Sequence, residues 1–317
     1  MMNNHSIPPI PSPQFSIFNA QLLWWLVGSA AYFGWFGAVV GLRTEHVILW
    51  GLVVTLWWIS ERTRRGVLAL SVWLAYWMLY DSLRIAPNWT VNTVHIRDLY
   101  EFDRNWFGVR MGDTLLTLNE WCAQHTRWWL DLLAGFFYIS WVPLPLALGA
   151  WLYWREPGLY LRFAWCFFFV NLIGFSIYYL YPAAPPWYVA EYGFDLNPNV
   201  PRSAAGLDRV DALLHMDLFH RIYTRNSNVF AAMPSLHSAY PLVGWFYARL
   251  TRRRWLTWLF GTVAVGIWVT AIYTGHHYVL DVVAGIAVAL LGYFLFEKWI
   301  LPHTRFGTWI RGLKDRI

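Results

Sequence analysis

Residues 273–285 read YTGHHYVLDVVAG, in which two adjacent histidines and an aspartate interrupt what would otherwise be part of a membrane-length helix. The rest of the chain decides what these polar residues are for. Of its 317 residues 58% are hydrophobic, 20% aromatic and only 13% charged. Such a chain cannot bury its apolar surface in one core and keep a polar exterior. It reads as an integral membrane protein, all-α, a polytopic bundle of transmembrane helices.

A hydrocarbon layer about 30 Å thick takes roughly 20 apolar helical residues. About eight runs qualify, at 21–42, 47–60, 67–83, 129–154, 159–180, 229–250, 255–275 and 277–300. The second is the shortest and reaches only about 21 Å at about 1.5 Å per residue. With the amino terminus inside, the basic stretches ERTRRG (61–66), REPG (155–158) and RLTRRR (249–254) all fall on the inner side. So does a tail holding Lys298, Arg305, Arg311, Lys314 and Arg316, whereas the outer turn TGHH (274–277) has no Lys or Arg. This alternation is the positive-inside pattern. The net charge of +6 is therefore an orientation signal and implies no nucleic-acid partner.

The first residues, MMNNHSIPPIPSPQFS, lack the basic region of a secretory signal and read as a flexible tail over 1–20. Residues 21–128 then supply amino-terminal spans and an outer cover, 129–300 a catalytic core, and 301–317 a basic inner tail. Cys122 and Cys166 make no disulfide framework. The outer segment VHIRDLYEFDRNWFGVRMGDTLLTLNEW (94–121) mixes charges and aromatics at roughly helical spacing, which suits an interfacial helical segment on the outer face. NWT (88–90) is an outer-face glycosylation sequon, and the 24 Trp and 18 Tyr suit membrane interfaces.

Three polar stretches meet on that outer face: YYLYPAAPPWY (178–188), VFAAMPSLHSAYPLVGW (229–245) and YTGHHYVLD (273–281). Ionisable groups at span ends are costly and count as functional candidates. His277 and Asp281 are four apart and would share a helix face. Asp281 then accepts from one ring nitrogen and leaves the other free to attack phosphorus, as the third group does in triad chemistry. Pro234 and Ser235 stand where a helix starts, so backbone N–H groups and the Ser235 hydroxyl would face an anion. His237, half a turn in, can protonate a leaving oxygen.

PSLH (234–237) and HYVLD (277–281) resemble the second and third signatures of the type 2 phosphatidic acid phosphatase superfamily, P-S-G-H and S-R-x-x-x-x-x-H-x-x-x-D. With YPAAPPWY (181–188) and SAAGLDRVD (203–211) they resemble its inositol phosphorylceramide synthase-like branch, over roughly 170–290. The resemblance implies that His277 is the nucleophile, Asp281 its orienting group and His237 the acid and base, with no cofactor or metal. It also implies lipid partners, a phosphatidylinositol-like donor and a ceramide-like acceptor, and a multi-pass protein of the inner or plasma membrane with its site on the outer face.

The chain departs from the pattern in one direction. The superfamily's first signature, K-x-x-x-x-x-x-R-P, is missing, and Thr270 and Ala271 stand where the third has Ser and Arg. A monoester carries nearly two charges and a diester one, so a site short of cations suits a diester lipid. Remaining neutralisation would come from Arg202, Arg209, Arg221 or Arg225, or those side chains pair with Asp208 and Asp211. His276 either binds substrate or faces away, and Trp187 and Tyr188 are placed to stack on a sugar-like ring. Three readings follow: a lipid phosphodiester transferase, a lipid phosphatase, and a non-enzymatic protein binding a metal through His237, His276, His277 and Asp281.

Overall fold

The computed structural model describes residues 13–224 and 228–317; residues 1–12 of the tail expected over 1–20, and Arg225, lie outside the described residues. The described residues form two compact units, which divide after Val67.

In the first unit α1 (Pro13–Trp35) starts well before residue 21 and runs into a π-helical turn, Phe36–Val40. It is followed by α2 (Thr44–Ile59) and the start of α3 (Glu61–Ser82). Aromatic packing joins α1 to α2: Tyr32 stacks on Trp50 at 4.4 Å, and Trp25 meets Trp57 edge-on at 5.3 Å. Part of the aromatic content expected at membrane interfaces is thus used between helices.

The second unit continues from α3 into α4 (Arg97–Phe107), a hairpin of β1 (Val109–Met111) and β2 (Thr114–Leu116), and α5 (Leu118–Gln124). The hairpin, paired Val109↔Leu116 and Met111↔Thr114, corrects the purely helical reading of 94–121. Gly112-Asp113 between the strands is a two-residue loop of the kind that closes hairpins.

Next come α6 (Trp128–Ile139), α7 (Pro143–Arg155), α8 (Pro157–Leu180), α9 (Pro186–Tyr192), α10 (Asp208–Leu214) and α11 (Leu218–Tyr223). The chain ends with α12 (Leu236–Leu250), α13 (Arg254–Tyr273), α14 (Val279–Leu295), α15 (Leu301–His303) and α16 (Arg305–Gly312). The expected span 129–154 is two helices at 41°. Pro143 explains the break, since its ring and missing N–H prevent α6 from continuing.

Four helices among the described residues are long and apolar enough to cross a membrane: Gln21–Val40, Pro157–Leu180, Arg254–Tyr273 and Val279–His303. Counting the bent pair as one span makes five. The chain is mostly helical, and the reading of about eight spans goes beyond this count.

Apolar burial gives little net drive between helices in lipid, so close packing and buried polar bonds hold the bundle. Its centre lies where α8, α12 and α14 meet, around Phe163, Val170, Val243 and Ala289. The Tyr240 hydroxyl donates to Asn171 Oδ1 at 2.6 Å, and that of Tyr247 to Glu297 at 2.6 Å. Glu297 also pairs with Arg162.

The helix α12 begins at Leu236, not at 229, because the residues before it are committed elsewhere. Ala183 N donates to Phe230 O at 2.9 Å, Ala232 N to Ala183 O at 3.2 Å, and Ser235 N to Asp281 O at 2.9 Å. His95, Ala183 and Ala231 thereby line up as a short parallel ladder. Backbone hydrogen-bonded across the ladder is not available to start a helix.

The amphipathic helix α4 is tied to α14 by Asp103. That side chain is fully buried, and its Oδ1 accepts from Leu280 N at 3.0 Å, capping an orphan donor in the first turn of α14. Its Oδ2 has no hydrogen-bond partner. Burial, reinforced by the nearby Asp281 charge, raises the Asp103 carboxyl to about 6 despite the Leu280 and Val279 amides. The folded chain therefore holds a proton that the unfolded chain releases near its ordinary 3.8. This contribution to stability is full below the unfolded value and is lost as pH rises through about 6. In detergent, the melting temperature of the wild type should fall by a few degrees relative to Asp103→Asn as pH rises from roughly 4 to 7. A difference that stays constant over that range would contradict a raised carboxyl.

Candidate active site

Three connections converge on one cleft: the exit of α8 into α9, the start of α12, and the turn between α13 and α14. After Tyr273 the chain reverses at Gly275, whose φ of +74° is unfavourable for a side-chain-bearing residue. The reversal lets His276 N and His277 N both donate to Ala271 O, at 3.1 and 3.0 Å. On the opposite side Asn119 Nδ2 donates to Ile272 O and His277 O, both at 2.8 Å. The His277 backbone is therefore pinned from two helices.

His277 precedes α14, which starts at Val279, so the two residues do not share a helix face as expected. The N-terminal turn brings them together instead: His277 Nδ1 lies 3.5 Å from Asp281 Oδ2. That is a close contact, longer than a hydrogen bond. Asp281 is fully buried, its Oδ2 accepts from Tyr278 N at 2.9 Å, and its Oδ1 has no partner. On the other side of the ring, His277 Nε2 lies 3.3 Å from His237 Nδ1. His237 stacks against Tyr138 at 5.0 Å and meets Trp141 edge-on at 4.7 Å. His237, His277 and Asp281 thus lie in sequence at 3.3 and 3.5 Å.

The cleft, about 60 Å³, is lined by His237, His276 and His277 together with Trp187, Arg202 and Asn228. His276 turns into the cleft, which settles its direction. The Thr274 hydroxyl donates to Thr270 O at 2.8 Å and lies 2.8 Å from His276 Nδ1. The Thr274 proton is committed, so His276 Nδ1–H donates to it and Nε2 is a bare acceptor. Nε2 is buried and has no protein partner. Burial and the neighbouring His277 and His237 hold the His276 pKa well below the usual imidazole range, so the ring is neutral.

Other expectations are corrected. Ser235 is fully buried, and its Oγ caps α12 by accepting from Ser238 N at 3.3 Å and from Ser238 Oγ at 3.0 Å. It is a helix cap, as its place before Leu236 dictates. Tyr188 is fully buried, donates to Asp195 O at 2.6 Å and accepts from Asn197 N at 2.7 Å. Its hydroxyl is spent on the loop and its ring is core, so it stacks on no substrate. Arg209 Nε pairs with Asp131 at 2.8 Å and lines a neighbouring cavity, not the cleft. Arg221 pairs with Asp217 at 2.7 Å on an exposed helix. Of the named loop arginines, Arg202 reaches the cleft, and desolvation and the Arg84 charge lower its pKa.

Asn119, Asp103, Tyr138 and Trp141 were not singled out from the sequence. Each acts across more than a hundred residues or from a helix that reads as plain membrane span, so no spacing rule reaches them. Among the described residues no group of three or more His, Cys, Asp or Glu is arranged to hold a metal ion.

The PAP2 superfamily model matches residues 97–295, a span that includes α4 as well as the cleft. The chain is 45% identical over 280 residues to the phosphoinositol dihydroceramide synthase of Bacteroides thetaiotaomicron, covering 88% of this chain and 90% of that one. It is 30% identical over 252 residues to the inositol phosphorylceramide synthase of Candida albicans, covering 77% of this chain and half of that one. To the lipid A 4'-phosphatase of Porphyromonas gingivalis it is 22% identical over 65% of this chain. No solved structure matches.

Proposed function

The chain belongs to the PAP2 superfamily, and on that premise we propose that it is a membrane lipid phosphotransferase. It moves a phosphoinositol-like head group from a glycerophospholipid to a ceramide-like alcohol through a phosphohistidine. The series His237, His277 and Asp281, at 3.3 and 3.5 Å, is the observation that carries this reading. The synthases among its relatives support the same class of reaction.

Asp281 holds the proton of His277 at Nδ1 and leaves Nε2 as the nucleophile; contacts of this length tighten in the Michaelis complex. As Nε2 attacks phosphorus, an N–P bond forms and the P–O bond to diacylglycerol breaks. His237 gives its proton to the departing alkoxide. The acceptor hydroxyl then attacks, returns its proton to His237, and the N–P bond breaks. In-line displacement sets the leaving oxygen opposite Nε2, so the two imidazoles part as the phosphate enters. Arg202, the only Lys or Arg among the described lining residues, matches the single charge of a diester. Tyr138 and Trp141 shield the His237 ring from water.

The eight-span topology belongs to the same proposal, with both termini inside and the cleft on the outer face of an inner or plasma membrane. α4 lies in that outer interface, with Leu99 packed on Ala183, Ala232 and Tyr278 as a cover. Cysteines placed near Gly206 and near Gly275, at neighbouring exposed positions, should be labelled by an impermeant reagent in intact cells, and one near Thr251 should not. Labelling at Thr251 would overturn the sidedness.

Purified protein given phosphatidylinositol should release diacylglycerol faster when ceramide is present and should use phosphatidic acid poorly. His277→Ala should lose roughly 10⁴-fold or more of the turnover, and Asp281→Asn somewhat less. Efficient hydrolysis of phosphatidic acid that no lipid alcohol stimulates would identify a phosphatase instead.

A further inference from the structure

His277 sits in a turn outside both helices, with its ring 3.3 Å from His237 Nδ1 and 3.5 Å from Asp281 Oδ2. Its Nδ1 has no hydrogen-bond partner. Contacts of this length leave the direction of the ring to the backbone that carries it. Because peptide units are planar, the two peptides flanking a residue set its φ and ψ, and with them the direction of Cβ. The peptide before His277 is held by its amide, which donates to Ala271 O at 3.0 Å. The peptide after it is held at both edges. Its carbonyl, His277 O, accepts from Asn119 Nδ2 at 2.8 Å, and its amide, Tyr278 N, donates to Asp281 Oδ2 at 2.9 Å. That carboxylate oxygen is the one that faces His277 Nδ1. Asn119 and Asp281 thus grip opposite edges of one peptide.

The other Asn119 Nδ2 hydrogen goes to Ile272 O at 2.8 Å, in the last turn of α13, so a single amide ties the two ends of the turn together. Two carbonyl oxygens require a neutral group with two donors, and Asn is the shortest side chain that has one. Asn119 is 6% exposed, and its Oδ1 has no partner. An unpaired buried acceptor is a cost to the fold that an apolar side chain of the same shape would avoid. The support beneath Asn119 is stiff. Thr117 Oγ1 accepts from Glu120 N at 3.2 Å, and Glu120 Oε2 accepts from Thr117 N at 2.7 Å, a reciprocal cap on α5. The Tyr100 hydroxyl donates to Glu120 Oε1 at 2.9 Å and fastens α5 to α4.

We infer that Asn119 is a positioning residue for the transfer reaction. It locks the 277–278 peptide and so aims the His277 ring at the incoming phosphorus while keeping it on Asp281. This rests on the reading of His277 as the nucleophile. The outer segment that carries Asn119 then does more than cover the cleft, since it sets the aim of the reacting ring.

Steady-state turnover of phosphatidylinositol with ceramide, measured on the full chain in detergent, tests this. Asn119→Ala should lose roughly 30- to 100-fold in kcat with KM within about twofold of wild type, the scale expected of a misplacement near 1 Å. Asn119→Gln keeps both donors one methylene further out and should recover part of that loss. Tyr247→Phe, which loses a buried bond to Glu297 at the far end of α12 from His237, should lower the melting temperature and leave kcat unchanged. In an Asp281→Asn background Asn119→Ala should cost less than about threefold more, because the alignment it protects is already lost. Wild-type kcat in Asn119→Ala, or in Asn119→Gln should the Ala variant not fold, overturns the inference. So does a raised KM alone, a loss that Tyr247→Phe matches, or full multiplication of the two losses in the double variant. If the wild-type chain hydrolyses phosphatidic acid and transfers nothing, the same variants are read on that reaction, where a loss of kcat keeps Asn119 as a positioning residue and sinks the transferase reading. A chain that turns over neither lipid overturns both.

Discussion

The bond from the Ser235 amide to the Asp281 carbonyl, 2.9 Å long, joins the start of α12 to the first turn of α14. Everything in the cleft depends on that join. Gly285 makes it sterically possible, since a Cβ there would sit 2.1 Å from the Ser235 carbonyl oxygen. One step along the chain on one side is the helix that carries His237; on the other is the carboxylate facing His277. A shift of either helix end by a single residue would separate the imidazoles, and the chain resists it because a buried amide cannot give up its partner cheaply. Asp103 adds a second restraint on the same turn from α4.

The same economy of charge runs through the site. Arg202 stands alone among the described lining residues as a permanent cation, and His276 is held neutral with a bare acceptor toward the cleft. A site of this kind gains little from a doubly charged phosphate and discriminates by shape and hydrogen bonding.

The sequence was most informative where local chemistry acts over a few residues. PSLH marks a helix start, and α12 does begin after Ser235; the spacing of His277 and Asp281 predicts a pair, and the two side chains approach to 3.5 Å. The mechanism of pairing was misread, because Gly275 and the cap at Tyr278 put His277 outside the helix. Ser235 caps α12, as its place before Leu236 indicates, whereas the burial of Tyr188 and its bonds to the 195–197 loop are visible only in the folded chain. Asp103 and Asn119 sit in a segment that reads as an amphipathic cover, and their contacts lie across more than 150 residues. The apolar runs predicted helices well, whereas Pro143 and the 183–231 ladder, which are tertiary and steric matters, decided where those helices bend and begin.

The central claim is that His277 Nε2 takes the phosphoryl group from the donor lipid. It is tested most directly by incubating the protein with phosphatidylinositol and no acceptor alcohol, quenching in base and mapping modified histidines by mass spectrometry. The account predicts an acid-labile phosphoinositol adduct on His277 that disappears when ceramide is added. Lipid turnover without any adduct, or an adduct on His237 or His276, would contradict it.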